Sequence, residues 1–189
     1  PLNASFVAFN PTTGRNDQSV PFIGTAVSQG IELDGRFAPT DWFYLAGSVT
    51  FSDPQYEDLQ NSAGADPSAV NGNQIVREPK LYGNVRPTVS FPVGDSEMEA
   101  YLRFDFVGKS YVDLFNQTAL PEYQTLGFGI SWKRGLWGVQ LVGDNLTEEQ
   151  GLTEGNTRTD ALSGQGSREA IYGRPLFGRN FRLMLNREW

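Results

Sequence analysis

The sequence predicts an all-β fold: an antiparallel transmembrane β-barrel sheet of about eight strands. Apolar and polar residues alternate at period two through most of the chain, which places the apolar side chains of each segment on one face of a strand. The connections between these segments alternate between short and long. The four tryptophans fall at segment ends, all on the short-turn side.

Taken in order, the first strand covers Leu2–Phe9. In the second, Val20–Phe37, the residues Val27, Ile31, Leu33 and Phe37 oppose Ser28, Gly30, Glu32, Asp34 and Arg36. The third, Trp42–Asp53, sets Phe43, Leu45, Val49 and Phe51 against Ala46, Ser48 and Thr50. The fourth, Ile75–Phe91, alternates Leu81, Val85, Val89 and Phe91 with Lys80, Tyr82, Asn84, Arg86 and Thr88. The fifth, Met98–Tyr111, is the clearest. Met98, Ala100, Leu102, Phe104 and Phe106 share one face; Glu99, Tyr101, Arg103, Asp105 and Lys109 share the other. No amphipathic helix keeps both faces so pure. The sixth, Glu122–Lys133, carries Leu126, Phe128, Ile130 and Trp132 opposite Thr125, Gly127, Gly129 and Ser131. The seventh is Trp137–Asn145. The eighth, Phe177–Trp189, places Phe181, Leu183, Leu185, Arg187 and Trp189 on one face.

Composition agrees with strands. Aromatics make up 13% of 189 residues, with 21 Gly and 11 Pro, a mix that favours strands and turns. Mean hydropathy is −0.39, and no apolar run approaches the roughly 20 residues of a spanning helix. A membrane strand needs only about 10 alternating residues. The net charge of −7 argues against nucleic acid as a partner and against a basic membrane-surface patch. There is no cysteine, hence no disulfide, thiol chemistry or cysteine metal site. No signal peptide is visible, and the chain starts at Pro1, so it reads as a mature product or a fragment.

A soluble antiparallel sandwich would also alternate. The connections favour the barrel. They span residues 10–19, 38–41, 54–74, 92–97, 112–121, 134–136 and 146–176, and every odd one is longer than its neighbours. Outer-membrane barrels sort their loops this way, with short periplasmic turns and long extracellular loops. With the last strand running toward the periplasm, Trp42, Trp132, Trp137 and Trp189 all lie at the periplasmic end. That is the place for an aromatic girdle at the lipid–water interface. An open sheet cannot sit in hydrocarbon with unpaired edges. The strands therefore close as a small eight-stranded barrel or form one wall of a larger one.

Catalysis finds little support. There is no histidine, the usual base for a serine nucleophile. Glu32 with Asp34, and Glu148 with Glu149, read as solvated or salt-bridged carboxylates. Asp53, Glu57, Asp58 and Asp66 flank a Gly/Asn/Ser-rich loop but lack the ligand spacing of a calcium loop. Gly127 and Gly129 precede no helix, so they form no phosphate loop. No enzyme, cofactor or metal site is expected.

Short motifs add a resemblance. Gly143-Asp-Asn-Leu-Thr147, then a long polar loop, then Tyr172-Gly-Arg-Pro-Leu-Phe-Gly-Arg179 and a terminal strand resembles the C-terminal end of TonB-dependent outer-membrane receptors. Ser28-Gln-Gly-Ile-Glu-Leu-Asp34, Phe51-Ser-Asp-Pro-Gln-Tyr56 and Arg77-Glu-Pro-Lys80 are similar to that family in order and spacing. The resemblance covers nearly the whole chain, with Arg187 as its one departure. It implies that residues 1–189 are the C-terminal wall of a barrel of about 22 strands, whose plug domain lies outside this chain.

The resemblance further implies uptake of a scarce nutrient of the siderophore-iron, cobalamin or carbohydrate class at the outer membrane. The implied partners are outer-membrane lipid, the plug and remaining strands, the TonB complex acting through the plug, and a possible surface lipoprotein. Glu32, Asp34, Lys80, Arg86, Arg103 and Asp105 would face the plug. Tyr56, Arg77, Lys109, Tyr111, Phe115 and Tyr123, at the extracellular ends, would meet substrate, where aromatic and basic groups can hold an anionic chelate or stack on a sugar. The alternatives are a complete eight-stranded barrel with a structural or adhesive role, and a soluble β-sandwich binding module.

Overall fold

The computed structural model describes residues 2–10, 15–61, 66–159 and 166–188, with side chains over 24–60, 66–156 and 172–188. Among the described residues there are twelve strands: β1 (Leu2–Asn10), β2 (Arg15–Phe37), β3 (Phe43–Asn61), β4 (Leu81–Val93), β5 (Ser96–Val107), β6 (Ser110–Tyr111), β7 (Ala119–Leu120), β8 (Tyr123–Arg134), β9 (Trp137–Asp144), β10 (Leu152–Thr159), β11 (Gly166–Pro175) and β12 (Asn180–Arg187). Eight of them form one antiparallel sheet in the order β1-β2-β3-β4-β5-β8-β9-β12. The hairpins β6–β7 and β10–β11 are separate two-stranded sheets inserted on one side.

The register turns the period-two pattern into two chemically different faces. On one face Phe91, Met98, Trp132, Val139 and Leu185 lie in line across five strands. Val89, Ala100, Ile130, Leu141 and Leu183 form the next row. These rows are not covered. Ile31, Leu33, Leu102, Leu183 and Leu185 are each more than half exposed. An uncovered apolar belt of this extent on a sheet marks a membrane or partner surface. In a soluble sandwich this face would hold the core. Here the buried apolar residues Tyr56, Leu59, Val70, Val112, Leu114 and Leu120 sit beyond the belt, on the loop side, and one more, Val142, lies on the opposite face of β9.

Among the described residues, β1 and β12 are the two sheet edges and do not pair with each other. A complete eight-stranded barrel would join them. The sheet is therefore a wall, and in hydrocarbon its edges must pair with further strands.

The tight turns lie on one side. Residues 94–95 and 135–136 each join two strands, with Gly94 at φ 59° and Gly135 at φ 54°. A glycine at positive φ in the first central position is what a type II′ hairpin needs. Residues 38–42 make the third connection on that side. Trp42 and Trp137 are exposed there, and Trp132 packs in the outer row between Met98 and Val139. The Arg187 guanidinium lies 5.1 Å from the centre of the Trp137 ring, which shelters a charge at the belt's rim. Trp189 lies outside the described residues.

Several expected boundaries change. Of the first long connection, expected over 10–19, residues 15–19 are strand, since β1 and β2 pair as far as Asn10 and Arg15, and residues 11–14 lie outside the described residues. β2 has 23 residues and β3 has 19, whereas a span needs roughly 9–11. The excess carries these strands past the belt on the loop side. Ile75–Lys80, expected as strand, is not. Arg77 there adopts φ 64°, and Pro79 has no N–H to donate to a ladder. The β10–β11 hairpin fills a segment read as loop.

Because the two faces alternate residue by residue, neighbouring substitutions in the intact barrel should diverge. Ile130→Arg on the belt should cost about 2–4 kcal/mol of folding free energy. Ser131→Arg, turned to the other face, should cost about 0.5 kcal/mol or less. Denaturant unfolding from lipid vesicles measures both.

Candidate functional site

The face opposite the belt carries the charge. Arg103 on β5 donates to Asp105 at 2.8 Å and to Asp144 on β9 at 3.0 Å. Asp144 also accepts from Arg182 on β12 at 2.8 Å, so one carboxylate ties β5, β9 and β12 together. Gly127, on the intervening β8, makes this reach possible. It stands opposite Arg103 in the ladder, and a Cβ there would come within 3.8 Å of Arg103 and 3.7 Å of Asp144. Any longer side chain would obstruct the crossing. Gly129 does the same for Tyr101, whose ring occupies the place a Cβ would take.

A second group lies nearer the short turns. Arg86 on β4 approaches Glu99 at 3.5 Å and stacks over Tyr101 at 4.3 Å from the ring centre. The Tyr44 hydroxyl donates to Glu99 at 3.4 Å, and Arg36 lies 3.9 Å over the Tyr44 ring. All of these charges are partly exposed. Each pair contributes on the order of 0–1 kcal/mol, so the arrangement suits a solvated surface that meets a polar partner better than a sealed core.

The loop side is knitted by side-chain amides. Asn145, at φ 48° and buried, donates to the carbonyls of Glu149 (3.0 Å) and Phe177 (2.9 Å) and accepts from Glu149 N–H at 2.8 Å. Arg179 donates to Glu148 at 2.8 Å. The motif residues after β9 and before β12 therefore hold each other across the long insertion. Glycine at 155 lets β10 approach the β6–β7 hairpin, since a Cβ there would sit 2.6 Å from Val112 and 3.1 Å from Leu120.

The expected site residues divide into groups. Glu32, Asp34, Arg86, Arg103 and Asp105 share the charged face through the register. Lys80 does not join them. It turns to Asp53, which shares a face with Phe51 and Ile31. Tyr56 is 5% exposed and anchors a cluster with Leu59, Val70 and Leu114, against which Ile75, Val76 and Phe115 pack. Its burial raises the phenol's pKa above the ordinary tyrosine value. Lys109 lies 5.0 Å over the Tyr111 ring. Arg77 donates to the Gly155 carbonyl at 3.3 Å and to Asn156. Tyr123 opens β8 opposite Val107.

Sequence reasoning missed Gln74, Asn116 and Asp113, whose partners are distant or depend on loop shape. Among the described residues no group of acidic side chains could hold a metal. Asp66 instead caps the Pro67–Ala69 turn through Ser68 N–H (2.9 Å) and hydroxyl (2.6 Å). The Ser68 hydroxyl first, then its N–H, hold that carboxyl below the usual range.

An open wall with an apolar belt, a charged inner face, tight turns on one side and long insertions on the other defines a segment of a membrane β-barrel. The family described as TonB dependent receptor-like, beta-barrel matches residues 4–146. The chain belongs to this family of outer-membrane proteins of Gram-negative bacteria, which are not enzymes. No curated protein matches.

Solved structures share the fold. The ferric yersiniabactin uptake receptor FyuA from Yersinia pestis is 15% identical with a TM-score of 0.72, covering 92% of this chain and 25% of its own. The siderophore receptor PiuA from Acinetobacter baumannii is 19% identical with a TM-score of 0.66, covering 97% and 24%. The ferric preacinetobactin receptor BauA from Acinetobacter baumannii is 15% identical with a TM-score of 0.61, covering 97% and 25%. The chain spans about a quarter of the length of these receptors.

If Asp144 joins Arg103 and Arg182 energetically, a double-mutant cycle will register it. For Asp144→Asn against Arg103→Ala, the coupling energy should be about 0.5–1 kcal/mol at low ionic strength. It should shrink toward zero near 1 M salt, where the Debye length falls to about 3 Å.

Proposed function

We propose that this chain forms the C-terminal wall of an outer-membrane receptor that takes up an iron–siderophore chelate. The observation that carries the reading is the division of labour between the two sides of the sheet. The outer face suits lipid. The inner face offers a half-solvated network of mixed charge to a polar body inside the barrel. Glu32, Asp34, Arg86, Arg103 and Asp105 would contact that body, the plug domain, through salt bridges and water. The tryptophans Trp42, Trp132, Trp137 and Trp189 would mark the periplasmic interface. Energy would reach the site from the TonB complex acting on the plug.

The substrate end is the loop side. Lys109 and Tyr111 present a cation beside an aromatic ring, a combination suited to an anionic chelate with planar groups. Tyr123 and Arg77 flank them. Tyr56 and Phe115 contribute by holding the loops in place. The siderophore-receptor neighbours make ferric chelates the first class to test. A cobalamin or a carbohydrate would emerge from the same panel.

The test uses the intact receptor in a Gram-negative host lacking its own siderophore receptors. Iron accumulation should depend on one or more of the supplied chelates and should stop when TonB is deleted. Lys109→Ala with Tyr111→Ala should weaken chelate binding about tenfold, equivalent to about 1.4 kcal/mol, with little effect on the amount of receptor in the membrane. Uptake that persists without TonB, or no uptake from any ferric chelate, would overturn the reading.

A further inference from the structure

Gln74 is 7% exposed and sits where the residues preceding β4 leave the ladder. Its backbone N–H donates to the side-chain oxygen of Asn116 at 2.7 Å, and its carbonyl accepts from Asn116 Nδ2 at 2.9 Å. A single side-chain amide thus imitates a neighbouring strand. The Gln74 Nε2 in turn donates to the carbonyl of Lys109 at 3.3 Å and to that of Glu78. Asn73 Nδ2 donates to the Leu114 carbonyl at 2.9 Å, and Arg77 N–H to the Tyr111 carbonyl at 2.8 Å. The segment bearing Lys109 and Tyr111 is therefore held at both carbonyls by the segment 74–77.

The backbone at both ends of this contact is unusual. Asn116 adopts φ 53° and Arg77 adopts φ 64°. Asparagine tolerates that region, but a long side chain such as arginine keeps it only where its surroundings fix it. Arg77 is fixed by the Tyr111 carbonyl and, through its side chain, by Gly155 and Asn156 on β10. The turn around Asn116 is fixed separately. The Asp113 carboxylate accepts from the N–H groups of Phe115 (2.9 Å), Gln117 (3.2 Å) and Thr118 (2.7 Å). Each loop thus has its own internal support, and the amide pair joins them at the centre of a contact that the Asn73–Leu114 and Arg77–Tyr111 bonds flank.

We propose that Gln74 and Asn116 form a latch that fastens residues 66–80 to the β6–β7 hairpin, with Arg77 carrying the connection on to β10, and that both are positioning residues for Lys109 and Tyr111. The consequence for ligand binding rests on the receptor reading above; the coupling of the loops does not. A ligand that engages any one of these elements moves or stiffens all of them. The latch lies wholly beyond the belt, so it can open without disturbing the sheet.

Hydrogen–deuterium exchange on the intact receptor in lipid nanodiscs tests the coupling without ligand. Asn116→Gly removes the amide while leaving positive φ unstrained. Amides in both 66–80 and 108–120 should then exchange about tenfold faster, while those of β4, β5 and β8 stay unchanged. Asn116→Asp keeps the acceptor and the backbone conformation, so it should recover part of the protection. Gln74→Leu keeps the backbone bonds to Asn116 but frees the Lys109 and Glu78 carbonyls, and should quicken exchange at 108–111 and 74–78 while leaving 112–120 protected. Faster exchange confined to the mutated segment, or Asn116→Asp behaving like Asn116→Gly, would overturn the latch.

Binding of a ferric hydroxamate and a ferric catecholate to the same variants should weaken in the same order as protection is lost. If the unmutated receptor binds neither chelate, the receptor reading fails while the exchange data still decide the latch.

Discussion

The backbone ladder governs everything else in this molecule. In hydrocarbon an unpaired N–H or C=O costs several kcal/mol, so every strand inside the belt must have a neighbour on each side. That requirement fixes register, and register fixes face. A slip of one residue would send Arg103 to lipid and Leu102 to the lumen. The rows running from Phe91 to Leu185 and from Val89 to Leu183 show one register propagated across five strands without a break. Past the belt the constraint relaxes. There the chain uses side-chain amides, a short 3₁₀ turn and positive-φ residues to satisfy its polar groups.

The two halves of the molecule are stabilised by different means. The sheet has almost no buried side chains of its own and relies on lipid for one face. The loop side has a small apolar cluster around Tyr56 and Val70, tied by hydrogen bonds that involve Asn71, Asn73, Gln74 and Asn116. That is a miniature soluble core mounted on the rim of a membrane wall. It encloses Tyr56, whereas Tyr172 and Phe177, on the same side but away from the cluster, stay as open as Trp42 and Trp137.

The sheet was legible because its signal is local. Alternation along β5 assigns Arg103 and Asp105 to one face without knowledge of any neighbour, and the tryptophans orient the strands. The loop contacts are non-local. Asn116 meets Gln74 across 42 positions, and nothing in either residue announces the other. The enclosure of Tyr56 is equally non-local, because strand position does not reveal whether a loop folds back over it. Lys80 followed the alternation of a strand that the structure ends at Leu81. The β10–β11 hairpin was hidden because its residues are polar on both faces, as befits strands in water.

Gly127 and Gly129 have a consequence for the space the wall encloses. A tyrosine and an arginine pointing straight inward would narrow the lumen by most of a side-chain length. Here Tyr101 and Arg103 lie down across β8, Tyr101 in the gap that Gly129 leaves and Arg103 above Gly127. The wall keeps its charge and its aromatic surface while staying thin. Over β8 the inner surface of this wall is therefore the flat side of a ring and an ion pair, and a body packed against it meets a smooth contact instead of projecting groups.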